Sequence, residues 1–69
     1  MNLRGLVAVN LRRLRQERGL SQEELADRAD VNRNYVGMIE REENAATVDT
    51  LEKLAIVLDV DPAEFFARG

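Results

Sequence analysis

The stretch SQEELADRADVNRNYVGMIER, residues 21–41, sets two short helices almost end to end. Ser21 stands at an N-cap with Glu24 three residues on, a capping box in which hydroxyl and carboxylate each satisfy a free backbone donor. Helix 2 is therefore expected from Gln22 to about Ala29, burying Leu25, Ala26 and Ala29. After Asp30 and Val31, Asn32 is expected to cap a third helix over about residues 33–41, whose inward positions are Val36 and Ile39. Its outward face then carries Arg33, Asn34, Gly37, Met38 and Arg41.

The flanking segments are helical by the same criterion. Leu3, Val7, Leu11 and Leu14 recur at intervals of three and four, and Gly19 supplies a stop after Arg18, which predicts helix 1 over roughly residues 3–18. Thr47 caps a fourth helix with the stripe Leu51, Leu54, Ala55 and Leu58. Asp61 as cap, Pro62 at the first helical position and Glu64 in the capping-box place predict a short fifth helix, with Phe65 as its core residue. With one proline and no run of alternating β-branched residues, the fold class is all-α, a compact domain of five helices over residues 1–69. A chain of 69 residues is near the lower limit for a self-sufficient core.

The sequence has no cysteine and no histidine, which excludes disulfides, thiolate or imidazole metal sites and Cys-His or Ser-His nucleophilic pairs. Ser21 is the only serine and lacks a base to activate it. No enzymatic activity, metal or cofactor is expected, and a reducing, cytoplasmic location fits. The longest apolar run near the N-terminus is LVAV, too short for a signal core or a membrane span.

A short helix followed within a few residues by another, each with its own cap, is the spacing of a helix-turn-helix, whose second member can enter the major groove of DNA. LRRLRQERGLSQEELADRADV, then NYVGMIER, then TVDTLEKLAIVLDV resembles the phage-repressor-like (Cro/XRE) helix-turn-helix family over roughly residues 7–66. The resemblance implies a regulator that binds double-stranded DNA. Base contacts fall to Arg33 and Asn34, with Gly37 and Met38 one turn on. Backbone contacts fall to Ser21 and Gln22 at the start of helix 2, and to Arg41. Asn32 and Tyr35 join that second set, although the Tyr35 ring is expected chiefly to pack against helix 2 or helix 4. It also implies that Arg15 and Glu40 meet as a partly buried ion pair.

The chemistry of the residues agrees. Arg33 can fork to guanine O6 and N7 and Asn34 can pair with adenine N6 and N7, each worth about 1–3 kcal/mol of discrimination. Met38 offers apolar contact to a thymine methyl. Gly37 lowers helix stability by about 1 kcal/mol relative to alanine, so close approach of the backbone to helix 2 or to the groove must compensate, and helix packing is the favoured reason.

Charge sets the main difficulty. The first 41 residues hold eight Lys or Arg against six Asp or Glu, and the remainder two against seven, for a net charge of −3. The acidic excess thus falls mainly in the C-terminal helices, and local field rather than total charge governs docking. Two positions depart from the family pattern. Glu42 stands where many relatives have glycine, so helix 3 is expected to run about one turn further, to Asn44. Asp30 stands where glycine is common in the turn, so positive φ is expected there.

One recognition helix makes few base contacts, so a homodimer on a palindromic operator is expected, with half-sites about 34–36 Å apart. Leu6 and Val9 are left off the helix 1 stripe, and Val57, Val60 and Phe66 are the first choices for the dimer interface. No small-molecule effector domain is expected. Among small relatives, phage repressors, antitoxins and restriction-modification controllers, the last group fits NYVGMIER best. The alternative is a protein-interaction module or antitoxin of the same fold that does not bind DNA.

Overall fold

Side-chain oxygens meet free amides where three of the helices begin. The computed structural model describes residues 2–68. It contains α1 (Leu3–Glu17), α2 (Gln22–Arg28), α3 (Tyr35–Glu40) and α4 (Val48–Leu58), followed by a 3₁₀ turn over Pro62–Phe66. Asn2 Oδ1 accepts from the Gly5 N–H at 2.7 Å. Ser21 Oγ accepts from the Glu24 N–H while the Glu24 carboxylate accepts from the Ser21 N–H, both at 3.0 Å, completing the capping box. Thr47 Oγ1 accepts from the Thr50 N–H at 3.1 Å. Each cap satisfies one of the donors that a helix N-terminus leaves unpaired.

The four helices share one ending. The residue following the last turn is left-handed, with φ of 66° at Gly19, 58° at Asp30, 61° at Glu42 and 57° at Asp59. The next amide then folds back on a carbonyl five residues earlier: Leu20 on Arg15, Val31 on Ala26, Glu43 on Met38 and Val60 on Ala55. This is the Schellman closure, which glycine suits because it has no Cβ to crowd the carbonyl. Asp30 takes the positive φ expected of it. Glu42 does too, and here the expected extension of the third helix to Asn44 is wrong: α3 stops at Glu40, and a glutamate occupies the glycine-type position. The left-handed region costs an ordinary residue about 1–2 kcal/mol, part of which a glycine returns as unfolded-chain entropy. The Glu42→Gly variant is therefore expected to gain about 1 kcal/mol, a rise of roughly 4–8 °C in thermal midpoint. A lower midpoint on a calorimetric scan would contradict that assignment.

Around the core, α1 packs on α3 and on the 3₁₀ turn, α2 packs on α3 and α4, and α4 closes on the turn. Leu11, Leu25, Val36, Ile39, Leu54, Leu58 and Phe65 are fully buried where these elements meet. Among the described residues the fold is all-helical, but with four α-helices rather than five. Pro62–Phe66 is only one tight turn, closed by the i→i+3 bond from the Glu64 N–H to the Asp61 carbonyl at 2.9 Å. The five residues from Pro62 to Phe66, followed by the extended Ala67, leave too little length for an α-helical ladder.

Val7, Leu11 and Leu14 of the expected α1 stripe are buried, but its first member is not, and a residue placed off the stripe is. Leu3 is 62% exposed whereas Leu6 is 6% exposed. Leu3 opens the first turn of α1, and the chain's C-terminal segment packs over the Leu6 and Asn10 side instead. The reason is visible at Asn10, a buried polar residue with no place in an apolar stripe. Its Nδ2 donates to the carbonyls of Phe65 at 3.0 Å and Ala67 at 2.9 Å, and to that of Leu6 at 3.0 Å. Buried carbonyls need such donors, so Asn10 ties the last turn to α1. Val9 is exposed, as expected of a residue off the stripe. No helix among the described residues is long and apolar enough to cross a membrane.

Candidate nucleic-acid interface

The connection from α2 to α3 differs in detail from the expected cap. Asn32 Oδ1 accepts from the Asn34 N–H at 2.9 Å and its carbonyl accepts from the Tyr35 N–H at 2.9 Å, so Asn32 organises a turn ahead of the helix rather than capping its first residue. The α-helix itself begins at Tyr35, with Asn34 at the N-cap position and no side-chain cap there. Arg33 and Asn34 consequently stand in the turn that leads into α3, both exposed, instead of in its first turn.

Six of the residues singled out from the sequence line one shallow depression: Gln22 from α2, Arg33 and Asn34 from the turn, and Gly37, Met38 and Arg41 along the outward face of α3 and its cap. The acids Glu23 and Glu43 share the lining. Ser21, Asn32 and Tyr35 lie outside it. Tyr35 is half-buried against the core, and its hydroxyl is 3.4 Å from the Ala45 carbonyl, at the long limit of a hydrogen bond.

Beneath the depression, Glu40 fixes α3 to the rest of the molecule. The Arg15 guanidinium donates through Nε to Glu40 Oε2 at 2.7 Å and through Nη2 to Oε1 at 3.0 Å, a two-pronged pair. Arg12 Nε adds a 3.3 Å contact and Gln22 Nε2 donates at 3.1 Å, both to Oε1. The Glu40 side chain has 0% exposure and that of Arg15 13%. Burial alone pushes the Glu40 carboxyl up, but the hydrogen bonds from Arg15 and Gln22, the Arg15 charge and the Arg12 hydrogen bond outweigh it and hold the group below its ordinary value. Arg15 is raised in turn, chiefly by its hydrogen bond to Glu40, against the opposing effect of burial.

Gly37 leaves space beside α3 that side chains of α2 and of the α3 cap fill. A Cβ built there meets Gln22 Oε1 and Arg41 Nη1, each at 2.9 Å. Both are far ends of flexible side chains, so a methyl would be accommodated by displacing them. The consequence falls on the interface rather than on the core, because Gln22 would leave Glu40 and Arg41 would swing aside. Only the Gln22 contact comes from α2; the other comes from Arg41, at the cap of α3, so glycine here leaves room for two side-chain tips rather than for a close approach of the helix backbones.

Sequence reading missed one residue of the site, Arg12, and one role, that of Gln22. Arg12 shares a face of α1 with Arg15, three residues on, and that spacing was the available signal. Gln22 was assigned a phosphate alone; its bond to Glu40 joins elements distant in sequence, which no local pattern reveals. The three suggested interface residues are not brought together. Val57 and Val60 are half-buried against the core. Phe66 lines an apolar depression with Leu3 and Val48, whereas Val60 lines a different one with Ile56 and Pro62.

The family model described as Helix-turn-helix (HTH_3) matches residues 11–65. The control protein C.SmaI of Serratia marcescens is 35% identical over 68 residues, covering 99% of this chain and 81% of that protein. Among solved structures, the hypothetical transcription factor NHTF from Neisseria superposes with a TM-score of 0.92 at 35% identity, covering 96% of this chain and 76% of that one. The restriction-modification controller protein C.AhdI from Aeromonas hydrophila superposes with a TM-score of 0.87 at 40% identity, covering 91% and 96%. With its two consecutive short helices α2 and α3, its buried Arg15–Glu40 pair and these relatives, the chain belongs to the HTH_3 helix-turn-helix family of Cro/XRE-type transcriptional regulators.

Proposed function

We propose that this protein is a sequence-specific regulator of transcription that binds double-stranded DNA in the cytoplasm as a single-domain homodimer. One observation carries the reading: Arg33, Asn34, Gly37 and Met38 share a surface depression with Gln22 and Arg41, on the helix-turn-helix face to which the family resemblance assigns the DNA contacts. Arg33 and Asn34 read base edges, Met38 supplies apolar contact, and the Gly37 backbone approaches the groove. Ser21, Gln22, Asn32, Tyr35 and Arg41 face phosphates. The two-pronged donors of Arg33 and the amide of Asn34 match purine edges in the major groove, and phosphate contacts fix the register in which those edges are read.

Of the suggested dimer residues, Phe66 is the best placed, because Leu3 and Val48 beside it are also exposed and apolar. Two of the relatives above, each matched over about four-fifths or more of its own length, are controllers by name, which supports restriction-modification control as the process. The test is selection of bound duplexes from a randomised pool at moderate salt. The expected outcome is one palindrome with half-sites about one helical turn, 34–36 Å, apart. Enrichment of no sequence, together with tight binding to a folded protein partner, would favour the protein-interaction reading instead.

A further inference from the structure

Both arginines in the depression are already engaged by carboxylates. Glu43 Oε2 accepts from Arg41 Nε at 2.9 Å and Oε1 from Arg41 Nη2 at 3.3 Å, a fork on a fork. Asp27 Oδ1 lies 3.5 Å from Arg33 Nε, a looser pair. The Arg41 pair is set up by the backbone: left-handed Glu42 turns the chain so that the Glu43 N–H bonds the Met38 carbonyl at 2.9 Å, which brings Glu43 back beside Arg41. A carboxylate presents two oxygens to guanidinium much as a phosphodiester does. The fork that would hold a phosphate is therefore occupied by the protein's own anion.

We propose that Glu43 is an intramolecular competitor for DNA phosphate at Arg41, and that it sets the sequence-independent part of the affinity. The inference rests on the DNA-binding reading above. Docking exchanges one partner of Arg41 for another and leaves the Glu43 carboxylate facing the phosphates. The protein then releases fewer counterions than its arginines alone would imply, which weakens its grip on all duplexes and leaves discrimination to Arg33 and Asn34. The strained conformation of Glu42 acts here as the device that positions Glu43.

The experiment compares the parent with Glu43→Gln on two labelled duplexes, the selected palindrome and a scrambled one, across a salt series. As a control for total charge, Glu52→Gln removes one negative charge from α4, on a different depression. The expected result for Glu43→Gln is about fivefold tighter binding to both duplexes at low salt, with the slope of log K against log salt steeper by about 0.9. Its thermal midpoint should stay close to the parent's, since an exposed pair contributes little to stability. The proposal is overturned if Glu52→Gln tightens binding equally, if affinity for both duplexes is unchanged or falls, or if the gain is confined to the palindrome, which would make Glu43 a base reader. A parent that binds the palindrome while Glu43→Gln does not differ from it sinks the proposal alone. Binding of neither protein to any duplex removes the DNA reading as well.

Discussion

Glu40→Ala is expected to lower the unfolding free energy by about 3–5 kcal/mol, because it leaves the Arg15 guanidinium in a largely closed site without its partner. A domain of this length has on the order of 3–10 kcal/mol in total, so the variant should be partly or wholly unfolded at ambient temperature, as circular dichroism will show. The effect is large because three helices meet at one carboxylate: Arg12 and Arg15 from α1 and Gln22 from α2 all donate to Glu40 of α3. The half-exposed Arg12 contributes least of the donors, since solvent screens it. The acid response has a definite sign. The folded-state pKa of Glu40 lies below its ordinary value of 4.5, so its stabilisation is fully present above about pH 4.5 and is lost as pH falls through the depressed folded value. The gap in stability between parent and Glu40→Ala should therefore narrow below about pH 4.5. A gap that stays constant through that range would mean that the carboxylate is not the group that matters.

What could be read along the chain, and what could not, divides by range. Ser21 with Glu24, Thr47 ahead of its stripe, and Leu51, Leu54 and Leu58 on one helical face are short-range patterns, and each was legible. The Arg15–Glu40 pair was expected from family resemblance and lies where that resemblance implied. The errors share a different cause. Leu3 is in helical spacing with Val7 and Leu11, and Leu6 with Asn10 and Leu14, and only the docking of the C-terminal turn through Asn10 decides which is covered. The end of α3 was misjudged because left-handed conformations were assigned by residue preference. Glu42 is a poor candidate by that criterion, yet tertiary packing closes the helix there with the same backbone bonds used at Gly19. Likewise Asn32 looked like a helix cap and forms a turn one step earlier. The candidate site was legible as a set of residues, six of which share a depression, but not as an arrangement. The pairing of Arg33 with Asp27 and of Arg41 with Glu43 depends on where that turn and that cap place the backbone.

The acidic residues thus take on defined positions in a protein proposed to bind a polyanion. Three of the left-handed closures use acids, at Asp30, Glu42 and Asp59. Glu40 is consumed by the core, and Glu43 by Arg41. The Glu43 carboxyl is held low, first by its hydrogen bond from Arg41, so that pair is charged on both sides at neutral pH. Net charge says little about the interface when so many carboxylates are committed to particular partners. Arg33, by contrast, is 68% exposed and held only by the looser Asp27 contact, which leaves its guanidinium available to a base.

The most direct measurement is therefore a fluorescence anisotropy titration of the selected palindrome, and of variants with single base-pair changes, with the parent and with Arg33→Ala. Removal of a forked contact to guanine is expected to weaken binding about 10- to 100-fold and to abolish discrimination at one base pair in each half-site. The unfolding midpoint should not move, because Arg33 is exposed and outside the core. Equal affinity with an unchanged order of preference among the base-pair variants would contradict the claim that this edge of the helix-turn-helix reads DNA.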